Sequence, residues 1–126
     1  MKATLDTYRQ SPRKVRLLVD LIRGKKVSQA LISLQFADKR AAPIVSKLLK
    51  SAVANATSTT SVSADDLFVK EAEVNKGVTM KRVMPRARGS AARINKRTSH
   101  IKIVLGVKEA PKTEVKKAPK TKAVKK

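Results

Sequence analysis

The pattern of apolar and polar positions changes character several times along this chain. Residues 1–8 alternate, with Ala3, Leu5 and Thr7 on one side and Lys2, Thr4, Asp6 and Tyr8 on the other, the period of a short strand. Ser11-Pro12 then predicts a helix start, with Ser11 as N-cap and Pro12 at the first helical position. Val15, Leu18, Val19 and Ile22 recur at helical spacing, and Leu17 and Leu21 flank the stripe. Asp20 lies within reach of both Arg16 and Arg23. Gly24 is placed to close the helix in a left-handed conformation.

Ser28 is the expected cap of a second, short helix that buries Ala30, Leu31 and Leu34 and ends at Phe36. A third helix is expected from near Ala42, because Pro43 is tolerated only in a first turn. Asp38 is a candidate cap for the turn before it. Ile44, Val45, Leu48, Leu49, Ala52, Val53 and Ala56 form the longest apolar stripe of the chain, suited to a central helix. The Ser/Thr-rich stretch 57–66 reads as a loop. Residues 67–74 and 101–107 read as strands, the second with Ile101, Ile103, Leu105 and Val107 on one face.

The segment between those strands has no helical period. Residues 74–108 contain ten Lys or Arg and no Asp or Glu. Two readings fit it: a hairpin with a disordered loop of about 25 residues, which would be long for a compact domain, or a hairpin whose arms extend beyond the sheet with a tip near residues 85–92. Residues 109–126, built of Lys, Ala, Pro, Thr, Val and Glu with two Ala-Pro-Lys-Thr copies, are expected to be a disordered basic tail, because they cannot bury enough apolar area to offset ordering entropy.

Charge sharpens this picture. The chain of 126 residues has net charge +21. Residues 1–73 carry only +6 of it, while the 35 residues from 74 to 108 carry +10. A one-sign segment repels itself unless a polyanion neutralises it, and nucleic acid is the common polyanion. The chain holds three aromatic residues, Tyr8, Phe36 and Phe68. With Phe36 and Phe68 assigned to the core, no platform for stacking bases remains, so backbone and shape recognition is expected. Gly89, among the arginines, supplies a turn or a close approach.

Other chemistries find little support. There is no Cys, hence no disulfide and no thiolate site. No apolar run approaches a membrane span, and the first residues lack the apolar region of a signal peptide, so a soluble intracellular protein is expected. His100, the one histidine, has Thr98 and Ser99 beside it but no orienting acid adjacent in sequence. Glu71 and Glu73 share a strand face and read as partners for nearby cations, while Asp65-Asp66 reads as a turn. No Gly-rich phosphate loop occurs. No enzyme, metal, cofactor or small-molecule substrate is expected. One reading of such a chain is a DNA-compacting protein, because the tail resembles linker-histone tails in composition.

Three separated blocks carry a resemblance. Ser11-Pro12-Arg13-Lys14-Val15-Arg16-Leu17 with Asp20-Leu21-Ile22-Arg23-Gly24-Lys25 resembles the first helix of the protein-twenty-two family of the large ribosomal subunit. Ser51-Ala52-Val53-Ala54-Asn55-Ala56 is similar to the end of that family's long helix. Met80-Lys81-Arg82-Val83-Met84-Pro85-Arg86-Ala87-Arg88-Gly89, then Arg93-Ile94 and Lys96-Arg97-Thr98-Ser99-His100-Ile101, resembles its extended hairpin. The family more often has Gly-Pro where this chain has Gly77-Val78, and a basic residue at Ser90.

The resemblance implies an α+β fold over residues 1–108: three helices packed on a small three-stranded antiparallel sheet, with a long protruding β-hairpin at about 76–100. It implies a structural protein of the cytoplasmic ribosome. Its partners would be large-subunit rRNA, neighbouring ribosomal proteins and the nascent peptide. The rRNA-binding residues would be Arg13, Lys14, Arg16, Lys81, Arg82, Arg86, Arg88, Arg93, Lys96, Arg97 and His100. The hairpin tip, Pro85, Arg86, Ala87, Arg88, Gly89, Ser90, Ala91 and Ala92, would line the peptide exit tunnel near the macrolide pocket.

Overall fold

The computed structural model describes residues 1–60 and 62–107; the expected tail, residues 109–126, lies outside the described residues. The chain runs β1 (Lys2–Tyr8), α1 (Pro12–Ile22), α2 (Val27–Gln35), α3 (Ala42–Thr60), a 3-10 turn (Ala64–Asp66), β2 (Leu67–Pro85), a second 3-10 turn (Ala87–Gly89) and β3 (Ala91–Val107). The sheet order is β1-β3-β2, with both pairings antiparallel. The helices pack on one face of it, α1 against β2 and α3 against β1 and β3. This is the α+β architecture that the family resemblance implied.

The first helix forms as its pattern predicts. Val15, Leu18, Val19 and Ile22 are buried, while Leu17 and Leu21 face outward. Pro12 occupies the first helical position, and Ser11 is the N-cap residue with an extended backbone. Ser11 makes no side-chain cap bond; its carbonyl accepts from Lys14 N and Val15 N. Gly24 ends the helix at φ +77, donating its N–H to Val69 O. Of its two candidate partners, Asp20 pairs with Arg23, at 2.9 Å.

Three local expectations are overridden by tertiary contacts. The second helix is capped at Lys26, not Ser28, because a bridge between Lys26 and Phe68 fixes the chain against β2 one residue before the helix begins. Phe36 is not core: it is 83% exposed. It lies two residues beyond buried Leu34, about 200° around the helix, so the stripe that buries Ala30 and Leu34 turns Phe36 outward. The third helix starts at Ala42 as expected but runs through residues expected to be loop, to Thr60. The hydroxyls of Thr57, Ser58 and Thr59 return to carbonyls of Ala54 and Asn55 at 2.8–3.2 Å, which lets these residues continue the helix.

Two one-residue bulges align the sheet with its core. On β1, Leu5 pairs with Ile101 but Tyr8 pairs with Ser99, so one extra residue is accommodated and Thr7 sits at φ +56. The face flips, and Tyr8 rather than Thr7 packs against the core. On β2, Val69 pairs with Leu105 and Glu71 with Val104. The extra residue, Lys70, lets Leu67, Val69, Ala72 and Val74 all face the helices. In sequence this bulge is the Lys70-Glu71 polar doublet between two alternating runs.

Leu49 is fully buried mid-stripe, whereas Leu17 is 66% exposed. Leu49→Ala should cost about 2–5 kcal/mol through cavity formation, and Leu17→Ala less than about 0.5 kcal/mol. Urea denaturation of both variants checks this; equal losses would show the buried faces to be misassigned.

Candidate nucleic-acid interface

Beyond Val74 and Ile101 the core ends and the ladder continues. β2 and β3 stay paired from Thr79↔Arg97 to Pro85↔Ala91. The acid-free segment is therefore the second of the two forms that its sequence allowed, a hairpin with extended arms. Every residue from Lys81 to Ala91 is exposed. The strands here are held by their cross-strand pairing, outside the core that the helices cover.

Cross-strand partners share a face, so the register assigns each cation. Lys81, Arg93 and Arg97 lie on one face with Thr79, Val83 and Asn95. Arg82 and Lys96 lie on the other with Met80, Met84 and Ile94, which are exposed at 42, 46 and 37%. Both faces thus present positive charge, and one adds an apolar strip. Among the described residues no hairpin cation from Lys76 to Arg97 forms an ion pair.

The tip is closed by its own backbone. Arg86 N donates to Ser90 O at 2.8 Å, and Ser90 Oγ to Ala87 O at 2.9 Å. Arg88 and Gly89 both adopt left-handed φ, +58 and +70. Glycine does so freely, but Arg88 carries about 1–2 kcal/mol of strain. The expected turn at Gly89 is present, and Ser90 serves that turn instead of offering a charge.

The hairpin joins the core through a polar clasp. A bulge between Lys76 and Thr79 places Gly77 and Val78 opposite Thr98. Thr98 Oγ1 donates to Val78 O at 2.7 Å. His100 Nδ1 lies 3.2 Å from Thr7 N, whose N–H it can accept, and 3.0 Å from Asp6 Oδ1. A Cβ on Gly77 would meet Thr98 Oγ1 at 2.5 Å and His100 Nε2 at 2.9 Å. Thr98 and Ser99 are the buried polar residues of the described chain. Apolar packing stops here, and these contacts tie the base of the hairpin to β1 and the sheet.

The remaining sequence-predicted residues divide. Arg13 and Lys14 project from the first turn of α1 and are exposed. Arg16 donates from Nε and Nη2 to Val74 O at 3.3 and 3.1 Å, and Arg23 Nη2 to Ala72 O at 2.8 Å. These two guanidiniums satisfy carbonyls on the open edge of β2. His100 is likewise engaged in the clasp. Sequence reasoning missed Gly77, Asp6, Thr7 and Thr98 as a unit; the available signal was a glycine within a strand pattern. Among the described residues no cluster of His, Cys, Asp or Glu could hold a metal ion, and no helix is long and apolar enough to cross a membrane.

The geometry is that of a compact α+β body extending an acid-free hairpin with cations on both faces. Residues 3–106 match the sequence model of the family described as ribosomal protein L22p/L17e, and the chain belongs to that family. It is 54% identical over 107 residues to the large ribosomal subunit protein uL22 of Lactobacillus gasseri, covering 85% of this chain and 92% of the relative. It is 53% identical over 108 residues to the protein of the same name from Oceanobacillus iheyensis, covering 86% and 96%. The Acholeplasma laidlawii protein of that name is 51% identical over 108 residues, covering 86% and 97%.

Gly77→Ala should cost about 1–3 kcal/mol through overpacking at the clasp. Because Thr7 N–H faces His100 Nδ1, its amide exchange should accelerate. Unchanged exchange at Thr7 would mean that the clasp does not depend on the space above Gly77.

Proposed function

We propose that this chain is a structural, non-enzymatic constituent of the large subunit of the cytoplasmic ribosome that binds large-subunit rRNA through its hairpin and the start of α1. One observation carries the proposal: a hairpin with cations on both faces, no acidic partner and no core of its own. Its ten-residue arms, residues 76–85 and 91–100, give a reach of about 30 Å at roughly 3.3 Å per residue. A ribbon charged on both sides is suited to insertion between RNA segments, where each face meets phosphate. Lys81, Arg82, Arg93, Lys96 and Arg97 serve the arms, Arg86 and Arg88 the tip, and Arg13 and Lys14 the body.

Membership in the family supports the finer placement. The tip, Pro85 to Ala92, is proposed to line the nascent-peptide exit tunnel, where Gly89, Ser90, Ala91 and Ala92 keep it slim. Neighbouring ribosomal proteins and the nascent peptide would be its protein contacts. A DNA-compacting role is disfavoured, because a compactor has no use for a directed hairpin with a built clasp at its base.

If the hairpin and α1 neutralise roughly six to ten phosphates, affinity for large-subunit rRNA should fall about 10³–10⁵-fold between 50 and 200 mM salt. Filter binding across that range checks it. A nearly flat salt response, or equal affinity for duplex DNA, would sink the proposal.

A further inference from the structure

Phe36 is the most exposed large apolar side chain of the described residues, at 83%. It is the C-cap residue of α2. Ile32, one turn earlier on the same side, is 55% exposed. The backbone beneath the ring is held by successive bonds: Phe36 N to Ile32 O at 3.2 Å, Lys39 N to Ala37 O at 2.8 Å and Ala42 N to Lys39 O at 2.9 Å. The ring is therefore presented on a fixed turn. Leaving it in water forgoes the roughly 1.5–3 kcal/mol that burial of such a side chain supplies.

The charge around it indicates what covers it. Lys39 and Arg40, three and four residues further on, are exposed, and among the described residues neither forms an ion pair. Residues 25–50 carry six cations against one acid, Asp38. A protein surface that buried Phe36 would have to desolvate this cationic rim. A nucleotide would not: its base has a face for the ring, and its phosphates match Lys39 and Arg40. Of the other rings, Phe68, expected in the core, is instead half-buried over Gly106, where a Cβ would meet it at 2.9 Å, and Tyr8 packs against the core.

We propose that Phe36, with Lys39 and Arg40, is a stacking site for one unpaired RNA base and its flanking phosphates, carried by the helical layer and not by the hairpin. This inference rests on the rRNA-binding reading above and adds a base contact to it. The ring supplies the stacking area, Ile32 extends its apolar floor, and the two cations fix the strand on either side of the base.

The full chain contains no Trp, so Phe36→Trp places a single indole at the site. On titration with purified large-subunit rRNA its emission should be quenched by stacking. Phe36→Ala should weaken rRNA binding about 5- to 150-fold, the worth of one stacked base, with the salt slope unchanged and Phe36→Tyr retaining affinity. Replacing both Lys39 and Arg40 by Ala should instead lower the slope, by up to about 2. Thermal melting should be unaltered in Phe36→Ala, because the ring is exposed. Equal binding by the unmodified and Phe36→Ala chains would overturn the stacking site alone. So would an indole that ignores naked rRNA and shifts to the blue only when other subunit proteins are added, which marks a protein neighbour. Failure of the unmodified chain to bind rRNA would overturn the rRNA-binding reading and this inference together.

Discussion

The apolar seam that runs along β3 and β2 ends at Ile101 and Val74, and everything else in the molecule is arranged around that end. On one side of it Ile101, Ile103 and Leu105 meet Leu67, Val69, Ala72 and Val74 under three helices. Burial there is worth about 25 cal/mol per Å² of apolar surface and holds the sheet flat against α1 and α3. On the other side the same two strands continue with backbone bonds alone. A two-stranded ribbon is marginal in water by itself, so the hairpin exists because its strands are anchored in the seam. Both β2 and β3 belong to the two halves, so the paired strands carry the ladder from the sheet into the hairpin.

The transition is made with polar groups because apolar ones would have pulled the hairpin back onto the core. Thr98, Gly77, Val78 and the Asp6–Thr7–His100 contact sit where the pairing of both β1 and β2 with β3 is irregular. Bulges increase local twist and re-aim strands. Two of them lie near one level, on opposite edges of β3, where the covered part of the sheet gives way to the hairpin. The absence of a side chain at Gly77 is a packing requirement here, not a demand for unusual backbone angles.

Cations are used in two distinct ways. Arg16 of α1 and Arg23, the C-cap residue after it, satisfy Val74 and Ala72 carbonyls and guard the β2 edge. Those of the hairpin have no acidic partners and remain solvated, where mutual repulsion opposes compaction. A polyanion relieves that repulsion and fills both faces at once. The body therefore folds on hydrophobic burial, while the hairpin has no core of its own and, under the proposed function, is completed by its RNA partner.

Much of this was legible in the residues themselves. The helical period of Val15, Leu18, Val19 and Ile22 and the long stripe from Val45 to Ala56 define their helices, because periodicity and burial are the same fact seen twice. The Ser-Pro start of α1, the left-handed Gly24, and the acid-free cationic segment are equally local. The chain alone left the arms of the hairpin open between strand and loop, since exposed strands carry no burial pattern. It also misplaced Phe36, because composition makes a scarce aromatic look like core while helix phase turns it outward. Residues 57–60 depended on hydroxyls finding carbonyls one turn back, and the start of α2 on a bridge from Lys26 to β2. Arg16 and His100 are candidate RNA ligands by the family resemblance, and the fold also gives them partners within the chain. Only the tertiary structure could engage them with Val74, Asp6 and Thr7, since those partners lie 58 and more than 90 residues away in sequence and meet only when the sheet closes.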